Sequence, residues 1–143
     1  LEAYENLNLT HSLSNHTQWV LSRVLTEDEF ITEFITRNQQ RLTDSYALAA
    51  RSFRDMGVPY VPARGSLFLW VDLSEFLEED SESGEMSLWR RLFDETGVLL
   101  THGVGFGHTK HGMFRVVYPC VQYEELEVAM IRLASYVENR RAC

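Results

Sequence analysis

No glycine or proline occurs in this chain before Gly57, and the stretch leading up to that glycine constrains the fold more than any other. Phe30, Ile31, Phe34, Ile35, Leu42, Tyr46, Leu48, Ala49, Phe53 and Met56 mostly recur at helical spacing. Thr26 and Glu29 have the spacing of a capping box, a hydroxyl at the cap and a carboxylate three residues on. Gly57 is a natural residue to follow a helix end. The pattern predicts a helix over roughly 27–56. That is long for a globular protein, and it suits an arm that bridges two domains or crosses a whole sheet. Ahead of it the sequence is polar as far as Ser14, which can cap a shorter helix from Asn15 to about Leu25.

Beyond Gly57 the pattern shortens. Val58-Pro59-Tyr60-Val61-Pro62 reads as a short edge strand, because proline cannot donate to a central ladder. Gly65 to Leu73, rich in aromatic and branched residues, is the strongest strand candidate. From Ser74 to Gly84 the chain is acidic (Glu75, Glu78, Glu79, Asp80, Glu82) and reads as a short helix leading into a solvated loop. Met86, Leu88, Trp89, Leu92 and Phe93 give an amphipathic helix closed by Gly97. Val98–Thr101 is a short strand, Gly103–Gly112 a loop bearing glycines and histidines, and Met113–Tyr118 a strand ended by Pro119. Leu126, Val128, Ala129, Ile131, Leu133, Ala134 and Val137 mark a terminal amphipathic helix. This order predicts an α+β fold, with a small, mostly antiparallel sheet covered by helices.

The 143 residues suit one domain, which on folding buries about two-thirds of its unfolded surface. A net charge of -8 argues against nucleic acid as a partner. No run approaches the ~20 apolar residues of a membrane helix, so no membrane partner is expected. Cys120 and Cys143 have no metal or disulfide spacing, and they fit a reducing, cytoplasmic setting. The first residue is Leu1 rather than Met, and a fragment of a larger protein is expected.

Several residues invite a chemical reading. Gly103-Val104-Gly105-Phe106-Gly107 is rich enough in glycine for a dinucleotide loop, but that motif needs a helix directly after it. Here His108-Thr109-Lys110-His111-Gly112 and then a strand follow, which favours a loop at a domain interface. His102, His108 and His111 lack a carboxylate or cysteine in the same loop, so exposed or interface histidines are expected and no metal site. Asp72 and the acidic run after it read as solvated surface. Ser12, Ser14 and Ser66 lack a nucleophile-elbow context, and Phe68, Trp70 and Trp89 read as core. Arg115, on a strand between Phe114 and Val116, either pairs with one of the 21 acidic residues or holds an anion of its own.

Two segments carry a resemblance. Ala63-Arg64-Gly65-Ser66-Leu67-Phe68-Leu69-Trp70-Val71-Asp72-Leu73 resembles the stretch with a Gly-Leu-Phe- or Gly-Met-Phe-x-Trp core in aminocyclopropane-carboxylate synthases and related aminotransferases. Gly112-Met113-Phe114-Arg115-Val116 is similar to that family's Phe-Arg-Val or Phe-Arg-Leu strand. Between them, Leu88-Trp89-Arg90-Arg91-Leu92 and Gly97 to Phe106 match the family's helix, strand and glycine-bearing loop in order. Upstream, Ser12 to Gln18 is similar to a serine-rich stretch, and Asn38-Gln39-Gln40-Arg41-Leu42 resembles an Asn-Arg-x-Arg-Leu on the long helix.

The resemblance implies that residues 1–143 form the carboxy-terminal small domain of a fold-type-I pyridoxal-phosphate enzyme, with 1–26 the junction from a preceding large domain. It places Arg115 as the anchor of the substrate's α-carboxylate. It also implies that pyridoxal 5'-phosphate is bound mainly by the large domain, through a lysine for which this sequence has no counterpart. Of the 13 basic residues only Lys110 is a lysine, and it stands in the loop just ahead of the Phe-Arg strand. No catalytic or cofactor-binding residue is therefore expected in this chain, which alone is expected to be inactive. Ser66 replaces a glycine common in the related aminotransferases, a side chain that narrows or polarises the entrance.

The complete enzyme is expected to be a homodimer acting on a small amino acid or an amino-acid thioether. Transamination, ring-closing elimination and carbon–sulfur cleavage all remain open, with the synthase-like branch favoured. The competing reading is a non-catalytic binding or interaction module that reuses the same small domain. An apolar surface along the long helix around Phe30 and Phe34 is expected where a large domain would pack.

Overall fold

The computed structural model describes residues 13–142 and has the expected α+β organisation. Residues up to Gln40 and those from Arg41 onward form separate compact units. In the first, helix α1 (Asn15–Leu25) is capped by the Ser14 hydroxyl, which accepts from the Thr17 amide at 3.1 Å. Helix α2 (Asp28–Asp55) begins in this unit. The predicted capping box at Thr26 is not formed as expected. Its hydroxyl donates back to the carbonyls of Ser22 and Arg23, so Thr26 closes α1 instead. Phe30 and Phe34 are exposed, with ring centroids 6.1 Å apart, and Ile35 is exposed beside them. Ser12 and Cys143 lie outside the described residues.

In the second unit the later part of α2 turns apolar on one face and buries Leu48, Ala49, Ala50 and Phe53. Its end has the geometry that the sequence predicts. The Gly57 amide bonds the Arg54 carbonyl at 3.0 Å and the Val58 amide the Phe53 carbonyl at 2.9 Å, with Gly57 at φ 66°. Arg141, from the other end of the chain, donates to the exposed carbonyls of Met56 and Gly57.

Four short strands follow: β1 (Tyr60–Val61), β2 (Leu69–Asp72), β3 (Thr101–His102) and β4 (Met113–Val116). They form one antiparallel sheet in the order β1-β2-β4-β3. Helices α3 (Glu82–Thr96) and α4 (Tyr123–Arg141) complete the fold. Because side chains alternate along a strand, Leu69, Val71, Phe114 and Val116 share one sheet face. They are buried there against Phe53 of α2, Leu88 and Leu92 of α3, and Leu126, Met130, Leu133 and Val137 of α4.

Several predicted boundaries move. The strand expected over Gly65–Leu73 is restricted to Leu69–Asp72, because Ser66 turns the chain at φ 90°. The strand expected at Val98–Thr101 is displaced to Thr101–His102, and Val117 and Tyr118 lie beyond β4. The acidic stretch contains a 3₁₀ turn at Ser74–Phe76, and α3 starts within it, at Glu82, because the Ser81 hydroxyl caps the helix by accepting from the Gly84 amide.

Candidate functional site

The sheet face opposite the core carries a different chemistry. Register places Trp70 of β2 and Thr101 of β3 on either side of Arg115 of β4, and Asp72 beside Met113. Arg115 is therefore central in the sheet, its backbone paired on both flanks. Its half-buried guanidinium lies over two rings, with Cζ 3.8 Å from the Phe106 centroid and 4.9 Å from that of Phe68. Its Nε is buried and has no hydrogen-bond partner among the described residues. Among the described residues no carboxylate is paired with it, although Arg37, Arg90, Arg91, Arg140 and Arg141 each have one. Two aromatic rings lie against the guanidinium, while its Nε has no hydrogen-bond partner and its charge no carboxylate among the described residues. This arrangement suits a planar anion approaching the in-plane N–H groups.

Phe68 and Trp70 were expected in the core and are not part of it. Both are half-buried, Phe68 at Arg115 and Trp70 against His108, whose ring centroid is 5.3 Å away. Their alternation with the buried Leu69 and Val71 places them on the Arg115 face, a period-two signal already present in the sequence. Trp89 packs at the edge of the core and donates to the Leu100 carbonyl at 2.7 Å.

Asp72 also departs from expectation. It is not solvated surface: it is partly buried, ion-paired with Lys110, and accepts from the Ser74 hydroxyl at 2.6 Å and its amide at 3.1 Å. Burial alone would push its carboxyl upward, but the bonds from Lys110 and Ser74 outweigh that and hold it below the usual carboxylate value. The three histidines have separate partners. His102 accepts from the Gly105 amide at 3.2 Å, His108 bonds the Lys110 backbone, and His111 meets Asp80 at 3.0 Å.

The glycine-bearing stretch forms a 3₁₀ turn at Val104–Phe106 and then runs into β4, so no α-helix follows the glycines. Sequence reasoning missed two residues here. Phe106 was read only as part of the loop, yet it supplies the nearer ring to Arg115. Glu85, 1% exposed, accepts from the Val104 amide at 2.9 Å and the Gly112 amide at 2.7 Å. The signal for Glu85 was its register: with Leu88, Leu92 and Thr96 it lies on the buried stripe of α3, where a carboxylate needs partners.

A family model, aminotransferase class I and II, matches residues 1–133. The chain is 30% identical over 127 residues to 1-aminocyclopropane-1-carboxylate synthase CMW33 of Cucurbita maxima, covering 89% of this chain and 26% of that synthase. It is 31% identical to 1-aminocyclopropane-1-carboxylate synthase 1 of Prunus mume, again over 89% of this chain and 26% of the relative. The chain thus spans about a quarter of the length of these relatives. Among solved structures, the aromatic aminotransferase of Pyrococcus horikoshii OT3 superposes with a TM-score of 0.75 at 19% identity, over 88% of this chain and 32% of that one. A Thermus thermophilus aspartate aminotransferase, tetra mutant 1, superposes with a TM-score of 0.70 at 24% identity, over 82% and 30% of the two chains. The family match runs through the strand that carries Arg115 and the loop that covers it, and the chain belongs to the aminotransferase class I and II family, pyridoxal-phosphate enzymes of fold type I.

Proposed function

We propose that this chain is the carboxy-terminal small domain of a pyridoxal-phosphate enzyme and that Arg115 holds the α-carboxylate of its amino-acid substrate. The observation that carries this reading is the Arg115 side chain: central in the sheet, stacked on Phe106 and Phe68, and with its buried Nε unspent. A guanidinium offers two parallel, charge-assisted N–H donors to the two oxygens of a carboxylate. The rings restrict its motion, and backbone pairing of β4 with both neighbours fixes the origin of the side chain. The substrate is thereby bound and oriented by a group that loses little freedom on binding.

Lys110 is paired with Asp72, and the resemblance gives it no counterpart to the lysine that anchors the cofactor. In this reading the large domain of the complete, homodimeric and cytoplasmic enzyme holds pyridoxal phosphate. The domain described here then contributes substrate recognition and is inactive alone. The synthase-like branch is favoured because relatives at about 30% identity are aminocyclopropane-carboxylate synthases, so a small amino acid or amino-acid thioether is the proposed substrate. In the complete enzyme, Arg115→Ala should raise the amino-acid KM by about 100-fold, which corresponds to losing a charged hydrogen-bonded pair. Arg115→Lys should recover only part of that loss, because an ammonium cannot present the same fork. A KM unchanged in Arg115→Ala would remove the role and leave the interaction-module reading in its place.

A further inference from the structure

We infer that Glu85, a buried carboxylate with no place in the proposed contact with substrate, is a positioning residue that sets the Arg115 site through the 103–112 loop; the inference rests on the carboxylate-binding reading of Arg115. One carboxylate oxygen accepts from the Val104 amide at 2.9 Å, and the other from the Gly112 amide at 2.7 Å. These amides stand near the two ends of the loop, so a single side chain from α3 closes it like a clasp. Between them lies Phe106, whose ring covers the Arg115 guanidinium at 3.8 Å.

The loop tolerates little displacement at its ends. A side chain on Gly103 would meet the Met113 carbonyl at 2.5 Å, and one on Gly112 would meet the Ser74 backbone at 2.5 Å. Gly112 also accepts from the Leu73 amide at 2.8 Å, tying the loop's end to β2. The tip is different: Phe106 is 53% exposed, and Gly107 has open space where a Cβ would lie. Glu85 fixes both ends of the loop, and the Gly105 amide's bond to His102 holds the turn between them. A purely structural carboxylate would need only to satisfy two amides. This one satisfies two that frame the ring covering the binding arginine.

Glu85 accepts two N–H bonds and no other side chain of that size does so equally. Glutamine keeps one acceptor oxygen and turns an N–H₂ group toward an amide donor, so Glu85→Gln frees one end of the loop while nearly conserving volume. In the complete enzyme, Glu85→Gln should raise the amino-acid KM about fivefold with a smaller change in kcat, the size of a lost cation–ring contact at a partly exposed ring. Phe106→Ala should raise KM by a similar factor, and adding Glu85→Gln to it should then change KM no further, since both act through one ring.

A Glu85→Gln enzyme with a lowered melting temperature and unchanged KM would overturn the inference, as would additive KM effects in the double variant. Should Glu85→Gln fail to fold, Phe106→Ala still decides, because an unchanged KM there leaves Glu85 nothing to act through. Arg115→Ala measured in parallel separates the two proposals. A raised KM in that variant with no effect of Glu85→Gln defeats the clasp alone, whereas no effect of Arg115→Ala defeats the carboxylate site and the clasp with it.

Discussion

Three residues on or beside the outer sheet face show how local chemistry decides role. Arg115 and Asp72 sit on the same side of adjacent strands, yet Asp72 is satisfied by Lys110 and Ser74, while the buried Nε of Arg115 has no hydrogen-bond partner among the described residues. Asp72 has a depressed carboxyl, so its contribution to stability is present above the unfolded value of about 3.9 and is lost as pH falls through the folded value. Asp72→Asn should therefore flatten the acid side of the stability curve below about pH 4 in a pH series of urea melts. At neutral pH it should cost about 1 kcal/mol or less, because Lys110 is more than half exposed.

Ser66 presents the third case. It holds φ at 90°, in the region that favours glycine, and its carbonyl accepts from the Tyr118 hydroxyl at 2.6 Å. Sequence alone marked this position because glycine is common there in similar proteins; the backbone angle supplies the physical reason. Ser66→Gly should stabilise the chain by about 1 kcal/mol through relief of that strain, read as a raised melting temperature. Ser66→Ala should not, since alanine keeps the Cβ.

Among the elements, α2 has two different halves under one helical pattern. Phe53 is 1% exposed in the core, while Phe34 is 57% exposed. Phe53→Ala should cost about 3–5 kcal/mol, and Phe34→Gln should stay within about 0.5 kcal/mol, both measured by chemical denaturation of the isolated chain. Spacing made the helix legible, and Gly57 its end, because both depend on local backbone geometry. Spacing alone did not say which half would be buried, since that depends on β-strands that are distant in sequence. The exposed Phe30–Phe34 pair was expected from the resemblance, as a face for a preceding domain. The sheet was foreseen in number and sense but not in extent. Two-residue strands carry almost no periodic signal, and a single Ser66 turn or a Ser81 cap shifts a boundary by several residues.

At the scale of the molecule, one sheet separates two tasks. Its inner face binds three helices into a core, and its outer face presents an arginine held by a strand, two rings and a clasped loop. Arg115 was singled out from its place in an ordered series of motifs, and the structure puts it in the middle of the outer sheet face. Its aromatic cover was only half legible: Phe68 was visible as part of an alternating strand, but Phe106 reaches Arg115 through a loop whose path is set by Glu85 on another element. The family match covers most of this chain, whereas the chain covers about a quarter of its relatives. The proposed division of labour, recognition here and cofactor chemistry elsewhere, rests on the family resemblance and on the unpartnered Nε of Arg115 among the described residues.

The most direct measurement compares, in the complete enzyme, kcat/KM for the amino-acid substrate with kcat/KM for its α-carboxamide, in the wild type and in Arg115→Ala. If Arg115 grips the carboxylate, the wild type should prefer the acid by about 100-fold, and the preference should collapse toward unity in Arg115→Ala. A preference that survives the substitution unchanged would contradict the role assigned to Arg115.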